Sequence, residues 1–295
     1  GERTVAGIKQ ALLDIMQNAP FEIVPMNPVI GAEIHGLDLS KPLGERTVAG
    51  IKQALLDHQV IFFRGQELDP DSHMRLAGIF GELEPPHPIF PKIESHPQIA
   101  VLENGENRPP ETNIWHTDVT WRDKPPLGSV LYGAEIPASG GDTMWASMTA
   151  LYEALSPSMQ KMLEGLRAVH SIAVFANSGN YETSQDAERM MEVLKLYPPQ
   201  SHPVIRTHPE TGKKALFVNA TFTTHIEGLP LDESAAILKF LAEKVKTPEF
   251  QVRFKWEKGS VAIWDNRATQ HYAVADYYPQ YRRMHRITIN GDVPY

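Results

Sequence analysis

Two imidazoles and a carboxylate set far apart along the chain constrain its fold more than any other feature. His116 and Asp118 stand two apart in Asn113-Ile114-Trp115-His116-Thr117-Asp118-Val119-Thr120, and His271 follows 155 residues after the first (271 − 116). An extended backbone points residues two apart to the same face, so His116 and Asp118 can chelate one ion while Thr117 faces away. A third ligand from a distant strand would close one triangular face around that ion. Two His and one carboxylate leave about half of an octahedron open, an arrangement that suits Fe(II) and O2 chemistry. Soft thiolate sites are excluded, because the chain has no Cys.

A His-x-Asp pair also fits a structural hydrogen-bonding pair, and the residues around His271 are what favour a metal. Ser260-Val261-Ala262-Ile263-Trp264-Asp265-Asn266-Arg267-Ala268-Thr269-Gln270-His271 is a β-branched run ending in a ligand. Eleven residues on (282 − 271), Arg282-Arg283-Met284-His285-Arg286-Ile287-Thr288-Ile289 begins. Read as a strand, that segment puts Arg282, Met284 and Arg286 on one face, with the two arginines roughly 13 Å apart at about 3.3 Å per residue. Two anions could be held along it, because a guanidinium is always charged and its planar fork fits a carboxylate or sulfonate in bidentate fashion. The competing reading is a solvated basic edge.

Trp-His-Thr-Asp at 115–118, Gly-Gly-Asp-Thr at 140–143, Trp-Asp-Asn-Arg at 264–267 and Met-His-Arg at 284–286 together resemble the Fe(II)/2-oxoglutarate-dependent dioxygenases of the taurine dioxygenase type. The resemblance runs from about Phe21 to Pro294. It implies that His116, Asp118 and His271 are the iron ligands and catalytic centre. It also implies that Arg282, helped by the Thr143 hydroxyl, binds the distal carboxylate of 2-oxoglutarate, with O2 as the second co-substrate. Arg286 would bind the anionic head of a small-molecule substrate.

His87 in Pro85-Pro86-His87-Pro88-Ile89-Phe90 matches a family position that donates to the sulfonate, and Phe222 matches an aromatic that walls the pocket. His87 between prolines equally fits a plain loop residue. Two substrate-contact positions depart from the pattern of the taurine enzymes: Phe90 stands where they show Tyr, and Thr112 where they show Asn. Losing a phenol and an amide removes hydrogen bonds that a small amine-bearing sulfonate would use, and an unpaired polar group costs about 1–3 kcal/mol. A substrate less polar than taurine is therefore expected.

The chemistry implied by the resemblance is hydroxylation of the carbon next to sulfur in taurine or a related sulfonate. Sulfite, an aldehyde, succinate and CO2 would be released. The same chemistry on an alkyl sulfate ester or an aryloxy acid is the alternative. Two further readings stay open: a zinc hydrolase, since this donor set also suits catalytic zinc, and a non-catalytic jelly-roll protein that senses a ligand. The other nine histidines sit in no ligand-like spacing and are read as structural or surface residues.

With 295 residues, 42% hydrophobic and 22% charged, the chain matches a globular protein with one large domain. A net charge of −8 argues against nucleic-acid binding. Anionic substrates must then be drawn by local Arg and His. Absence of Cys fits a reducing cytoplasm, no apolar stretch reaches the ~18–20 residues of a membrane span, and homo-oligomerisation is left open.

Gly1 to Asp14 is repeated letter for letter at Gly44 to Asp57. A repeat architecture would show more copies, with drift. Residues 1–15 are read as an artefactual duplicate of 44–57, with a single domain over 16–295; a genuine N-terminal helix is the competing reading.

Strands are expected at Phe21–Met26, Val60–Arg64, Ile99–Leu102, Ser129–Glu135, Thr143–Ala146, Val204–Thr207, Ala215–Val218, Phe250–Trp256, Val261–Trp264 and His285–Ile289. Helices are expected within the second copy of the repeat, after Asp69-Pro70, across Met148–Leu155, after Ser156-Pro157 and across Glu233–Val245. The fold class is mainly β with flanking helices, a double-stranded β-helix or jelly roll. The polar stretch 176–200 is either a surface excursion or a mobile cover over the site.

Overall fold

A computed structural model describes residues 20–87, 90–110, 114–173 and 191–295. The first copy of the repeat, Thr112 and most of the polar stretch (174–190) lie outside the described residues.

In chain order the strands are β1 (Glu22–Pro25), β2 (Ala32–His35), β3 (Val60–Phe63), β4 (Lys92–Ile93), β5 (His96–Asn104), β6 (Gly128–Glu135), β7 (Thr143–Ser147), β8 (Arg167–His170), β9 (Gln200–Pro203), β10 (Ile205–Thr207), β11 (Lys214–Leu216), β12 (Thr223–Ile226), β13 (Gln251–Phe254), β14 (Val261–Asp265), β15 (Thr269–Ala273) and β16 (Arg282–Ile289). The helices are α1 (Glu45–His58), α2 (Pro70–Gly78), α3 (Met148–Glu153), α4 (Pro157–Leu163) and α5 (Leu231–Val245). Eight strands form one large sheet in the order β1-β2-β3-β14-β6-β16-β5-β4, and β13-β7-β15 form a small sheet. Pairing in both is antiparallel except for β2 with β3.

The period of two sorts the side chains of the large sheet into two cores. Ile61 and Phe63 of β3, Val261 and Ile263 of β14, and Ile287 and Ile289 of β16 pack with Ile51, Leu55 and Leu76 from α1 and α2. Their neighbours Val60, Phe62, Ala262, Trp264 and Met284 point the other way, onto Trp145 and Phe254 of the small sheet. Strands buried on both faces read as continuous apolar runs, which is why β3 and β14 stand out in the sequence. Each large apolar side chain among them contributes about 1.5–3 kcal/mol on burial, and together they fix the stacking of the two sheets. A third core, with Leu151, Leu163, Leu216, Ile226 and Leu241, lies among α3, α4, α5 and the short outer strands.

Helix starts follow the polar residues that mark them. Asp69 accepts the Ser72 N–H at 2.7 Å at the start of α2, and Ser147 accepts that of Ala150 at 3.1 Å at the start of α3. Six strands were not expected: β2, β4, β8, β9, β12 and β15. The His116–Asp118 segment also departs from a plain strand. It is extended only at an isolated bridge between His116 and His271, and the chain then turns at once, with Val119 at φ 54°. Among the described residues no helix is long and apolar enough to cross a membrane.

Candidate active site

The first imidazole and the third ligand meet through their backbones. The His116 N–H donates to the His271 carbonyl at 3.0 Å and the His271 N–H donates to the His116 carbonyl at 2.8 Å, which places the two rings 4.1 Å apart by centroid. Thr117 faces away as expected, its hydroxyl donating to the Thr269 carbonyl at 2.9 Å. Asp118 then turns back toward both rings. Its Oδ1 lies 3.6 Å from His116 Nε2 and 3.8 Å from His271 Nε2, and donor atoms of all three residues fall within 4.8 Å of one another.

These distances are too long for good hydrogen bonds and enclose a space suited to a cation. His116 Nδ1 lies 2.9 Å from the Ile114 carbonyl, which puts the ring hydrogen there and leaves the Nε2 lone pair for a metal. Asp118 Oδ2 and His271 Nδ1 are buried without a hydrogen-bond partner. Burial pushes the Asp118 carboxyl up, but His271, Arg286 and His116 outweigh it and hold the group well below the usual carboxylate range. Burial, with His116 nearby, pushes His271 down to about 3. An ionised carboxylate and a neutral imidazole are the protonation states that a hard divalent cation requires.

Asp118 is fixed by a residue that the sequence reading did not single out. The side chain of Asn266, in the turn between β14 and β15, hydrogen-bonds both the N–H and the carbonyl of Asp118. Only its place inside Trp-Asp-Asn-Arg hinted at a role. Behind it, Asp265 is buried between the fork of Arg267 and the ring of His208, which lies 2.9 Å away, so His208 is a structural histidine, as expected.

Arg282 and Arg286 project from the same face of β16 but into different surroundings. Arg282 is buried, with Trp256 and Tyr277 rings 5.9 and 5.7 Å from its guanidinium carbon, and its Nε has no partner. Thr143 lies on the same side, its hydroxyl oxygen accepting the Trp256 indole N–H at 2.9 Å and so keeping its own hydrogen to donate. Gly141 makes room. At φ +73° it is in the left-handed region, and a Cβ there would stand 3.2 Å from Arg282 Cδ and from the Tyr277 ring. Trp256 and Tyr277 are further residues of this pocket that sequence reading missed.

Arg286 sits closer to the metal ligands, with Nη1 3.5 Å from Asp118 Oδ1 and the Phe90 ring 5.4 Å from its guanidinium carbon. The His87 ring lies tilted against that of Phe90 with centroids 4.4 Å apart, and its Nδ1 accepts the Phe90 N–H at 3.3 Å. That contact puts the ring hydrogen on Nε2, the tautomer that can donate to an anion. Burial, followed by Arg286 and Arg122, pushes His87 down to about 4. Phe222 is buried beside Val119, Trp121 and Ile172, with Val193, Leu194 and Tyr197 packed against them. Of the ten residues expected at the site, His116, Asp118 and His271 come together with Arg286 beside them, and Thr112 lies outside the described residues.

Comparison with known proteins agrees with this geometry. Residues 22–288 match the family model described as taurine catabolism dioxygenase TauD, TfdA family. The chain is 40% identical over 269 residues to an alkylsulfatase of Acinetobacter baylyi, covering 90% of this chain and 83% of that one. It is 39% identical over 282 residues to an alpha-ketoglutarate-dependent sulfate ester dioxygenase of Pseudomonas putida, covering 93% and 91%. Among solved structures, a protein from Burkholderia xenovorans described as a putative alpha-ketoglutarate-dependent taurine dioxygenase superposes with a TM-score of 0.80 at 40% identity, covering 93% and 91%. The jelly roll and the His-Asp-His centre are therefore those of a family, and the chain belongs to it: it is an Fe(II)- and 2-oxoglutarate-dependent dioxygenase of the TauD/TfdA family.

Proposed function

We propose that this enzyme oxidises an alkyl sulfate ester at the carbon that carries the sulfate oxygen. In this reading His116, Asp118 and His271 hold Fe(II), Arg282 and Thr143 bind the distal carboxylate of 2-oxoglutarate, and Arg286 with His87 Nε2 binds the sulfate. The observation that carries it is Arg286, 3.5 Å from Asp118 and faced by the apolar ring of Phe90. An anion held there lies beside the metal, and the wall next to it favours a hydrocarbon over an ammonium group. Phe222 would extend that wall, and Thr112 is the remaining substrate contact proposed. The names of the two relatives near 40% identity support the same substrate class.

Bound Fe(II), with 2-oxoglutarate and O2, supplies the oxidant. The protein orients the target carbon and keeps its charges fixed while the reaction proceeds. One oxygen atom enters the substrate C–H bond and the other enters succinate, with loss of CO2. The hydroxylated ester then breaks its C–O bond to sulfate, giving an aldehyde and hydrogen sulfate. On a sulfonate the corresponding products are an aldehyde and sulfite. That second reading is favoured by His87, which occupies the sulfonate-donor position, and by the name given to the Burkholderia xenovorans structure.

Incubation under air with Fe(II), 2-oxoglutarate and ascorbate separates them. Sulfate released from hexyl sulfate, dependent on both iron and 2-oxoglutarate, is the expected result. A higher kcat/KM for sulfite release from taurine would overturn the preference.

A further inference from the structure

Beside Arg286 lies a second pair of charges that none of these roles uses. Glu84 is 7% exposed, and one of its carboxylate oxygens lies 3.1 Å from Nη1 of Arg122. The partners come from segments that meet only in the folded chain. Glu84 hangs on β16 through its N–H to the Thr288 carbonyl at 2.9 Å, two residues beyond Arg286. Arg122 closes the turn after Asp118, its N–H on the Val119 carbonyl at 3.1 Å, and its guanidinium carbon lies 5.1 and 5.6 Å from the rings of Trp121 and Tyr197. The charges of Arg122, Arg286 and Asp118 all act on both Glu84 and His87, so these groups share one small region.

Among the described residues of that region, Asp118 would be committed to the metal. His87, pushed down to about 4, is neutral near neutral pH. Burial raises the Glu84 carboxyl on balance, with Arg122 and Arg286 opposing the shift and Asp118 adding to it, and the 3.1 Å contact with Arg122 is what pairs the two charges. Arg122 is matched by Glu84, and among the described residues of this region Arg286 is left as a cation without a second carboxylate once Asp118 is committed to the metal. Removing one partner of a buried ion pair exposes the full charge of the other.

We infer that Glu84 is a specificity-determining residue: by cancelling Arg122 it leaves Arg286 as the one positive charge that the described residues of this region offer a substrate, and so selects monoanions over dianions of the same shape. Sulfate monoesters and sulfonates are monoanions, whereas phosphate monoesters above neutral pH are dianions. The inference rests on Arg286 being the anion receptor.

Hexyl sulfate and hexyl phosphate have nearly the same shape and differ in charge at about pH 8, well above the second phosphate pKa of about 6. Calorimetric titration of the Fe(II)- and 2-oxoglutarate-loaded enzyme without O2 gives a Kd for each, with neither ligand consumed. The wild type is expected to prefer the sulfate. Glu84→Gln keeps the side-chain shape but frees the Arg122 charge, and the ratio of the two Kd values should move at least about tenfold toward the phosphate. Arg122→Gln leaves the carboxylate unmatched and should weaken both ligands, the phosphate more. A ratio within about threefold of wild type in both variants, less than a 1 kcal/mol effect, overturns the inference. A variant that only loosens packing weakens both ligands together and leaves the ratio unmoved, which counts against it equally. Arg286→Gln tests the underlying reading on its own. Unchanged hexyl sulfate affinity there refutes the receptor, while lost affinity there with an unmoved ratio in Glu84→Gln refutes only the role of Glu84.

Discussion

Asn266 grips the backbone of Asp118 at both ends, its Oδ1 accepting the Asp118 N–H at 2.8 Å and its Nδ2 donating to the Asp118 carbonyl at 3.0 Å. A second donation reaches the Pro126 carbonyl at 3.2 Å. Five residues later (271 − 266) the same turn delivers His271, so one short connection positions two of the three ligands. It also holds the chain where Val119 enters the left-handed region at φ 54°, a conformation a β-branched residue adopts only under constraint.

Asn266→Ala would leave the Asp118 N–H and carbonyl buried and unpaired, at about 1–3 kcal/mol each. Mn(II) affinity, measured by calorimetry as a stand-in for Fe(II), is expected to fall about 10–100-fold, as for other residues that orient metal ligands. Affinity within about threefold of wild type would remove this role from Asn266.

The second prediction concerns the pocket around Arg282 that we propose for 2-oxoglutarate. Lys cannot reproduce the planar fork of Arg282 between Trp256 and Tyr277, although it keeps the charge. Arg282→Lys should raise the KM for 2-oxoglutarate about 10–100-fold with Mn(II) affinity unchanged, since one charge-assisted bond of about 1.5–3 kcal/mol is lost. An unchanged KM would place the co-substrate carboxylate elsewhere.

How much of this was legible in the sequence follows from what each residue does. β3 and β14 are buried on both faces, so they read as unbroken apolar runs. β15 was missed because its buried residues Thr269, Gln270 and His271 are polar. Their burial is tolerated through local partners, the Thr269 hydroxyl on the Asp265 carbonyl at 2.8 Å and Gln270 on that of Val218 at 2.7 Å. The triad and the two arginines were legible because chemistry fixes their residue types and spacing. Glu84 with Arg122, Trp256 with Thr143 and Asn266 with Asp118 were not. Each pairing spans many residues of sequence and exists only once the sheets have stacked.

A third prediction comes from a buried histidine outside the site. His73 Nε2 lies 3.2 Å from the Val130 carbonyl, and burial pushes its pKa down to about 4 although that carbonyl pulls the other way. The folded ring is neutral, while the unfolded ring takes a proton below its ordinary 6.5. Between those values the unfolded state binds the extra proton, so stability falls as pH falls, by about 3 kcal/mol in all. Above 6.5 the effect vanishes. His73→Gln keeps a donor for the carbonyl but does not titrate, so urea unfolding from pH 6.5 to 4 should lose on the order of 2–3 kcal/mol less than wild type. Parallel stability curves for the two proteins would show that His73 does not carry this share of acid sensitivity.

Phe90 is the position at which substrate polarity can be tested most directly. Its ring lies 5.4 Å from the Arg286 guanidinium carbon and 4.4 Å from the His87 ring, so a substituent on it would alter the space beside the proposed anion receptor. Phe90→Tyr adds a hydroxyl that must find a partner. An alkyl chain offers none and an amine-bearing sulfonate does, so the variant should lose efficiency with hexyl sulfate and gain it with taurine. One neutral hydrogen bond contributes about 0.5–1.5 kcal/mol, which sets the expected change in the ratio of the two kcat/KM values at about three- to tenfold. Equal changes for both substrates would mean that Phe90 packs the site without reading what the substrate carries next to its anion.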